Sequence, residues 1–567
     1  MKHPYIFTPL LLLPSIASAT LSCTPSAFQA HLPDNARVGF THEVPSNGTH
    51  EVPSGGTHEG PSNGTLEVPT SNIAYPTSPQ GLPALCAVQI NVTRSPESSF
   101  SFGLFLPQQN WNKRFLAVGN GGFAGGINYL DMAAGVGYGF ATMSTDTGHN
   151  STSGDLSWAL EAEERRKDFG WRAMHESVVL AKQITQAYYG DADKVEYSYF
   201  SGCSTGGRQG LKEVQMFPED FDGVLAGAPA WWTTHLQTWT IRVALHNLPV
   251  EAEWHIPVEL FSVVEAEVLK QCDGEDGLVD GVITDPRRCD FFAEALLCGP
   301  DVVNQTTAGC LTAPQIGTLE KIYSDYVDVN QTAGKRVPVV RPPWSIEAEY
   351  IRLRIPAILP RPGPDWDFYD FNYSIVELAD RTDPGNCNAD DFDLRPFSAR
   401  GGKLLTYHGA SDALISTGSS SYFYRSVLKT LESRGIEVDP FYRHFLVPGM
   451  QHCFGTSEAM NAPWYFAGAG QAGTLSERPG SVHSTPDFED REHDALIALM
   501  EWTEKGIAPD FLVATKWRND TLVDEVWRQR KICPYPAWAR FVGGGADPDV
   551  AGSWRCEGLY DMVAQHE

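Results

Sequence analysis

Three short segments of this 567-residue chain carry the side chains of a nucleophilic hydrolysis site. Ser204 stands in Gly202-Cys203-Ser204-Thr205-Gly206, a G-x-S-x-G pattern. Asp412 follows His408-Gly409-Ala410-Ser411, and His452 lies in Pro448-Gly449-Met450-Gln451-His452-Cys453. A serine hydroxyl is a weak nucleophile until an imidazole takes its proton, and that imidazole needs a carboxylate to fix its tautomer and stabilise its charged form. In such chemistry His452 takes the Ser204 proton and returns it to a leaving alcohol, while Asp412 orients His452. His408 is the rival base, but it precedes the acid in the chain, and we read it as a structural hydrogen-bonding residue. Cys203 precedes the serine and Cys453 follows the histidine. If Ser204 and His452 meet, these cysteines are neighbours and a disulfide is geometrically open to them. The other use of Cys203, as a thiol nucleophile, is disfavoured by the adjacent serine and the export signal described below.

These residues need a scaffold that brings them together. Val195 to Phe200 is β-branched and aromatic and reads as a strand; Gln209 to Met216 reads as a helix ending near Pro218. Strand, glycine turn and helix are the context in which G-x-S-x-G presents its serine at the top of a sheet. Asp412 follows the strand Lys403 to Tyr407, and His452 follows the strand Tyr442 to Val447. Residues just beyond the carboxyl ends of neighbouring parallel strands converge on one crevice. Phe115 to Val118 runs into Gly119-Asn120-Gly121-Gly122-Phe123, a second glycine loop. Gly121 or Gly122 would offer an oxyanion N–H beside that of Thr205, or the loop is an ordinary strand-to-helix turn. Gly139 to Met143 and Val224 to Pro229 read as further strands, and Trp171 to Tyr189 as a helix ending at Gly190. Strands alternating with helices predict a mainly parallel sheet covered on both faces, an α/β fold. The order serine, acid, histidine is that of α/β-hydrolases.

Alternation breaks between about Ala230 and Arg395, which predicts a large inserted lid domain over the mouth of the sheet. Its aromatics, among them Trp231, Trp232 and Trp239, would line a pocket or form that domain's own core. At the N-terminus, Lys2 and His3 precede the apolar run Tyr5 to Ile16 and an Ala17-Ser18-Ala19 cleavage site, the pattern of a signal peptide over 1–19. Eleven cysteines suit an oxidising compartment, and eight N-x-S/T sequons beginning at Asn47, Asn63, Asn91, Asn150, Asn304, Asn330, Asn372 and Asn519 suit a secreted glycoprotein. A net charge of −28 argues against nucleic acid and anionic membrane as partners. Thr41 to Asn72 repeats an eight-residue unit, beginning THEVPSNG and THEVPSGG, too rich in Pro, Gly, Ser and Asn to bury a core. We therefore expect an N-terminal segment 20–73 with a flexible surface repeat over 41–72. A catalytic domain is expected over 74–229 and 396–567, and the insert over 230–395.

One loop of the insert has a different chemistry. Cys272-Asp273-Gly274-Glu275-Asp276-Gly277-Leu278-Val279-Asp280-Gly281-Val282-Ile283 spaces Asp273, Asp276 and Asp280 among glycines. That makes either a hard oxygen site suited to calcium or an acidic solvated loop. It is not an EF-hand, since Thr284 occupies the twelfth position from Asp273.

The segments around Gly202 to Gly210, Gly401 to Gly409 and Pro448 to Cys453 resemble the fungal tannase and feruloyl esterase family, closer in look to its type B feruloyl esterases, from about Leu82 to Cys556. The resemblance implies an α/β-hydrolase core with a lid inserted between serine and aspartate, a Cys203–Cys453 bridge, and hydrolysis of hydroxycinnamoyl or galloyl esters. It implies a structural Ca2+ held by Asp273, Asp276 and Asp280 with the backbone carbonyls of Leu278 and Val282, braced by a Cys272–Cys289 bridge. Proximity and the family pattern add Cys23–Cys86, Cys298–Cys310 and Cys533–Cys556, leaving Cys387 unmatched. The sequence departs from the family at Gly126, where feruloyl esterases carry a cysteine, and at Ala413, where proline is more usual. The expected activity is a secreted serine esterase acting on small aromatic esters or feruloylated cell-wall polysaccharide. The alternatives are a tannase and, in another class, a catalytically silent calcium-binding surface protein.

Overall fold

The computed structural model describes residues 21–45, 64–160, 162–324, 368–468, 471, 488–523 and 525–558. The signal peptide expected over 1–19 and the repeat units between 46 and 63 lie outside them. At the centre is a nine-stranded sheet of order β1-β2-β3-β5-β4-β6-β7-β8-β9. The strands are β1 Ala36–Val44, β2 Leu85–Ser95, β3 Ser98–Pro107, β4 Arg114–Val118, β5 Ala141–Thr145, β6 Tyr197–Cys203, β7 Gly223–Gly227, β8 Lys403–Gly409 and β9 Tyr442–Val447. The pairs from β5 through β9 are parallel, whereas β1, β2, β3 and β5 join antiparallel.

The burial patterns explain both halves. β5 and β7 are buried at every position, as parallel strands sandwiched between helices must be. The edge strand β1 is buried only at its ends, Ala36 and Val44, with the residues between them intermediate or exposed. Two apolar layers fill the faces of the sheet. One centres on Phe102, Phe115, Phe200 and Val224 beneath the helix Ala173–Tyr189; the other centres on Leu116, Tyr199, Leu405 and Phe445 beneath the helices Tyr129–Gly137 and Ala495–Lys505.

The N-terminal boundary differs from the sequence expectation. Thr41 to Val44, the first half of the first repeat unit, belongs to β1 and pairs with Val88 to Leu85. Past the repeat, Leu66 is buried in the core and the Asn72 amide exchanges two hydrogen bonds of 2.9 Å with the backbone of Ile127. The catalytic unit therefore begins before residue 74. Composition hid this because the edge strand β1 buries only Ala36 and Val44. The helix readings shift less. The helix after Ser204 starts at Thr205, and Ala173–Tyr189 is preceded by a π-helical turn, Asp168–Arg172.

Among its described residues the segment 230–395 is helical, with the helices Thr233–His246, Phe261–Cys272, Ala313–Tyr323 and Tyr373–Thr382 and two small apolar clusters of its own. Trp231 is an exception, since its indole is buried in the main core.

Candidate active site

Ser204 ends β6 and opens the helix Thr205–Met216 with φ 64 and ψ −120. That left-handed conformation strains any residue with a Cβ. It is imposed from outside: the Ser204 N–H donates to Gly227 O on β7 at 2.9 Å, and the Ser204 carbonyl accepts from Arg208 N and Ala230 N at 3.0 Å. Close approach makes the turn possible. A Cβ at Gly119 would come within 2.5 Å of the Gly206 Cα, so only glycine lets the β4 loop lie against the turn.

The two partners sit where parallel strands must deliver them. Asp412 lies beyond β8 and is 2 % exposed. Its Oδ1 accepts the N–H groups of Leu414 (2.8 Å) and Ile415 (2.9 Å), and its Oδ2 accepts from His452 Nδ1 (2.7 Å) and His408 Nε2 (2.9 Å). Burial pushes this carboxyl up, but the charges of His452 and His408 and their hydrogen bonds outweigh it and hold Asp412 well below the usual carboxylate range. His408 Nε2 also faces the Ile415 carbonyl at 3.1 Å. Both neighbours accept, so Nε2 carries the proton, and His408 supports Asp412 from behind with no exposed edge. With His452 Nδ1 donating to Asp412, the other ring nitrogen, Nε2, is left to accept.

Cys203 and Cys453 are joined, their Cα atoms 5.9 Å apart across 250 residues of sequence. The residue before Ser204 is thereby bonded to the residue after His452. The pairs Cys23–Cys86, Cys272–Cys289, Cys298–Cys310 and Cys533–Cys556 are also formed. Cys387 is a buried thiol pushed up by burial to about 11, too high for a thiolate at neutral pH.

The glycine loop after β4 is brought against the turn. Thr205 Oγ1 donates to the Gly122 carbonyl at 2.6 Å, and the N–H groups of Thr205 and Gly122 have no partner among the described residues. Gly121 differs, because its N–H is taken by Tyr75 Oη at 2.8 Å. Of the two glycines left open by the sequence, Gly122 is the one with a free donor.

A cavity walled by Ala230, Trp231, Trp232, His235, Trp239 and Tyr422 is linked to these groups through their bonded neighbours, although Ser204, Asp412 and His452 do not line it. Its lining also includes Ile415, whose N–H bonds Asp412, while Ala230 bonds Ser204. The His235 ring stacks on Trp232 at 3.5 Å and its Nε2 meets Asp380 at 2.5 Å. The insert's aromatics thus divide between the two fates open in the sequence: Trp231, Trp232 and Trp239 line this cavity, Phe261 and Phe371 lie in the insert's own clusters, and Trp231 is buried in the main core besides.

Residues 86–351 and 370–556 match the family described as tannase and feruloyl esterase. A probable feruloyl esterase B-1 of Aspergillus flavus is 35% identical over 556 residues, covering 94% of this chain and 95% of that protein. The chain belongs to the tannase and feruloyl esterase family. That makes it a carboxylic ester hydrolase. A probable feruloyl esterase B-1 of Aspergillus fumigatus is 36% identical over 483 residues, with 83% and 85% of the two chains covered. The crystal structure of feruloyl esterase B from Aspergillus oryzae superposes with a TM-score of 0.79 at 32% identity, covering 94% of this chain and 99% of that one. Tannin acyl hydrolase from Aspergillus niger shares the fold, with a TM-score of 0.66 at 21% identity and 96% of each chain covered.

In this family member the Cys272 to Ile283 loop closes on itself. Asp273 accepts the N–H groups of Gly281 (2.9 Å) and Val282 (3.0 Å), and Asp276 accepts from Leu278 N (2.9 Å) and Thr284 Oγ1 (2.5 Å). Asp280 accepts from Val282 N at 3.1 Å and from the guanidinium of Arg528 at 2.9 Å, and it also pairs with Arg530. The donor set suits Ca2+ in kind, being three carboxylates with backbone carbonyls nearby. The three carboxylates are not among the side-chain groups that converge within 4.8 Å among the described residues.

Several positioning residues escaped the sequence reading. Gln209 exchanges hydrogen bonds of 3.0 and 3.1 Å with Asn120, locking the β4 loop to the helix after Ser204. Arg208, fully buried, donates to the carbonyls of Gly170, Cys387 and Phe169. Both lie inside the motif Gly202 to Gly210, so their place in the sequence was the available signal. Tyr75 gave none.

Proposed function

We propose that this enzyme is a secreted esterase that cleaves hydroxycinnamoyl, feruloyl-type esters through a Ser204–His452–Asp412 triad and an acyl-enzyme. The observation that carries the triad is the covalent tie between Cys203 and Cys453, with His452 bonded to a carboxylate held ionised by two histidines. In the first half-reaction His452 Nε2 takes the proton as Ser204 Oγ attacks the ester carbonyl. The tetrahedral oxyanion forms facing the Thr205 and Gly122 N–H groups at a helix N-terminus. His452 then protonates the leaving alcohol, and a water repeats the sequence on the acyl-enzyme. The aromatic acyl group or its sugar alcohol would be taken by the tryptophan-lined cavity.

The feruloyl reading rests on relatives of about 35% identity covering nearly the whole chain. Galloyl esters are the second reading, favoured only by the shared fold with tannin acyl hydrolase. Calcium in the Asp273 to Val282 loop would be structural: Asp273, Asp276 and Asp280 with the Leu278 and Val282 carbonyls would hold it, and it would tie the insert to the strand carrying Arg528 and Arg530. Export is supported by the five disulfides and the leader pattern, and no helix among the described residues is long and apolar enough to cross a membrane. Hydrolysis of methyl ferulate and methyl gallate by the purified protein, with an active-site serine probe, is the test. Faster turnover of the ferulate and labelling lost in Ser204→Ala are expected. Turnover of neither ester and no labelling of the wild type overturn the reading.

A further inference from the structure

Remote from the ester site, three metal-ligating side chains converge at the far end of the helix that begins behind Ser204. His175 stands on the helix Ala173–Tyr189, Glu213 in the last turn of Thr205–Met216, and Asp220 on the loop that follows. One ligand atom from each lies within 4.8 Å of the others. His175 Nδ1 is 2.7 Å from Asp220 Oδ2 and 3.9 Å from Glu213 Oε2. Glu213 is 1 % exposed, and its Oε2 has no hydrogen-bond partner among the described residues. A buried carboxylate oxygen lying against a second carboxylate and 3.9 Å from an imidazole nitrogen needs a cation or a shared proton. Burial first, and then the adjacent Asp220 carboxylate, push the Glu213 carboxyl well above its usual range, while Lys182 is the base that faces both acids. A divalent ion would take the place of that proton. The C-terminus of the helix adds partial negative charge at the same place.

We propose that His175, Glu213 and Asp220 form a binding site for a divalent transition metal of the zinc class. One imidazole nitrogen and two carboxylate oxygens are a borderline-soft donor set that suits zinc better than calcium. Lys182 bonds the Asp220 backbone carbonyl and stands 4.0 Å from Oδ1, so it fixes the ligand from the side away from His175. The His175 side chain is 20% exposed and gives the ion its entry. Its ring is already oriented by stacking on Phe217 at 3.4 Å. The ion would clamp the two helices together at the end opposite the nucleophile, about 13 Å along the helix axis from Ser204. The site does not depend on the proposed ester chemistry.

The test is zinc and cobalt loading of the full-length protein in excess Ca2+, followed by desalting and metal analysis. One equivalent of zinc is expected in the wild type and in Asp276→Asn, which alters only the calcium loop. At least tenfold weaker retention is expected in His175→Ala and in Glu213→Gln, together with visible absorption of four- or five-coordinate Co2+ in the wild type. Equal zinc in wild type and His175→Ala overturns the proposal, and so does a wild type without Co2+ absorption. A metal-free Glu213→Gln that is more thermostable than the wild type with zinc also overturns it, since a proton on Glu213 then settles the charge. The cobalt spectrum of the wild type decides the matter even where a variant fails to fold.

Discussion

The crevice at the ends of β6, β8 and β9 and the Asp273 to Val282 loop of the insert are both built from carboxylates braced by a disulfide, yet they are assembled in opposite ways. In the loop, the acids bond mainly to amides within nine residues, and the Cys272–Cys289 bridge spans 17. In the crevice, Asp412 is bonded to a histidine 40 residues away, and the Cys203–Cys453 bridge spans 250. A local loop fixes its own shape, while a crevice of distant segments is only as good as the sheet that delivers them. Damage to the crevice should therefore reach the chemistry, whereas damage to the loop should show in stability alone.

The largest expected effect is Ser204→Ala, which should lower turnover of methyl ferulate by at least about 10⁴-fold, as loss of a triad nucleophile does, with the melting temperature nearly unchanged. Asp412→Asn should cost about 10⁴-fold in kcat, because the amide can leave His452 in the wrong tautomer. A kcat within tenfold of the wild type would remove Asp412 from the triad. The paired change Cys203→Ser with Cys453→Ser compares the regions directly. On chain-entropy grounds a bridge over 100 or more residues contributes about 4.7 kcal/mol or more, against about 3 kcal/mol for one the size of Cys272–Cys289. Thermal unfolding should thus fall further for the crevice pair, with kcat falling as well, whereas Cys272→Ser with Cys289→Ser should leave kcat near the wild-type value. Chelation by EDTA should lower the melting temperature without changing the initial rate, by an amount bounded at about 2.7 kcal/mol for an ion at a hundredfold its Kd.

The pH profile gives the smallest and most specific signal. Asp412 is held below the usual carboxylate range, so its contribution to stability is complete above the unfolded-state value and is lost only as pH falls through the depressed one. Mild acid should therefore leave the stability contributed by Asp412 intact, and melting curves run from neutral to mildly acidic pH should show the Asp412→Asn variant keeping the same deficit against the wild type throughout.

How much of this was legible in the sequence follows from the range of each interaction. Ser204, Asp412 and His452 could be read because each sits just beyond a strand whose apolar run is itself visible, and parallel strands carry such positions to one edge. The strand expected at Tyr442 to Val447 has those bounds in the structure. Tyr75 and Asn72 could not be read, because each acts on one distant backbone segment from a stretch whose composition says loop, and the end of β1 could not because its last four residues open the repeat. The division of the insert's aromatics between its own core and the cavity was equally hidden, since a ring buried in a cluster and one lining a pocket leave the same letter in the chain.

The bridge between 203 and 453 has a consequence for the life history of the molecule. Ser204 and His452 leave the ribosome with the whole insert between them, and the tether beside them closes only once the later segment has folded and an oxidant is present. Before that moment a newly made chain has its hydroxyl and imidazole without the covalent strap beside them. Under the proposed triad, competence is completed by oxidation after synthesis and not by synthesis itself.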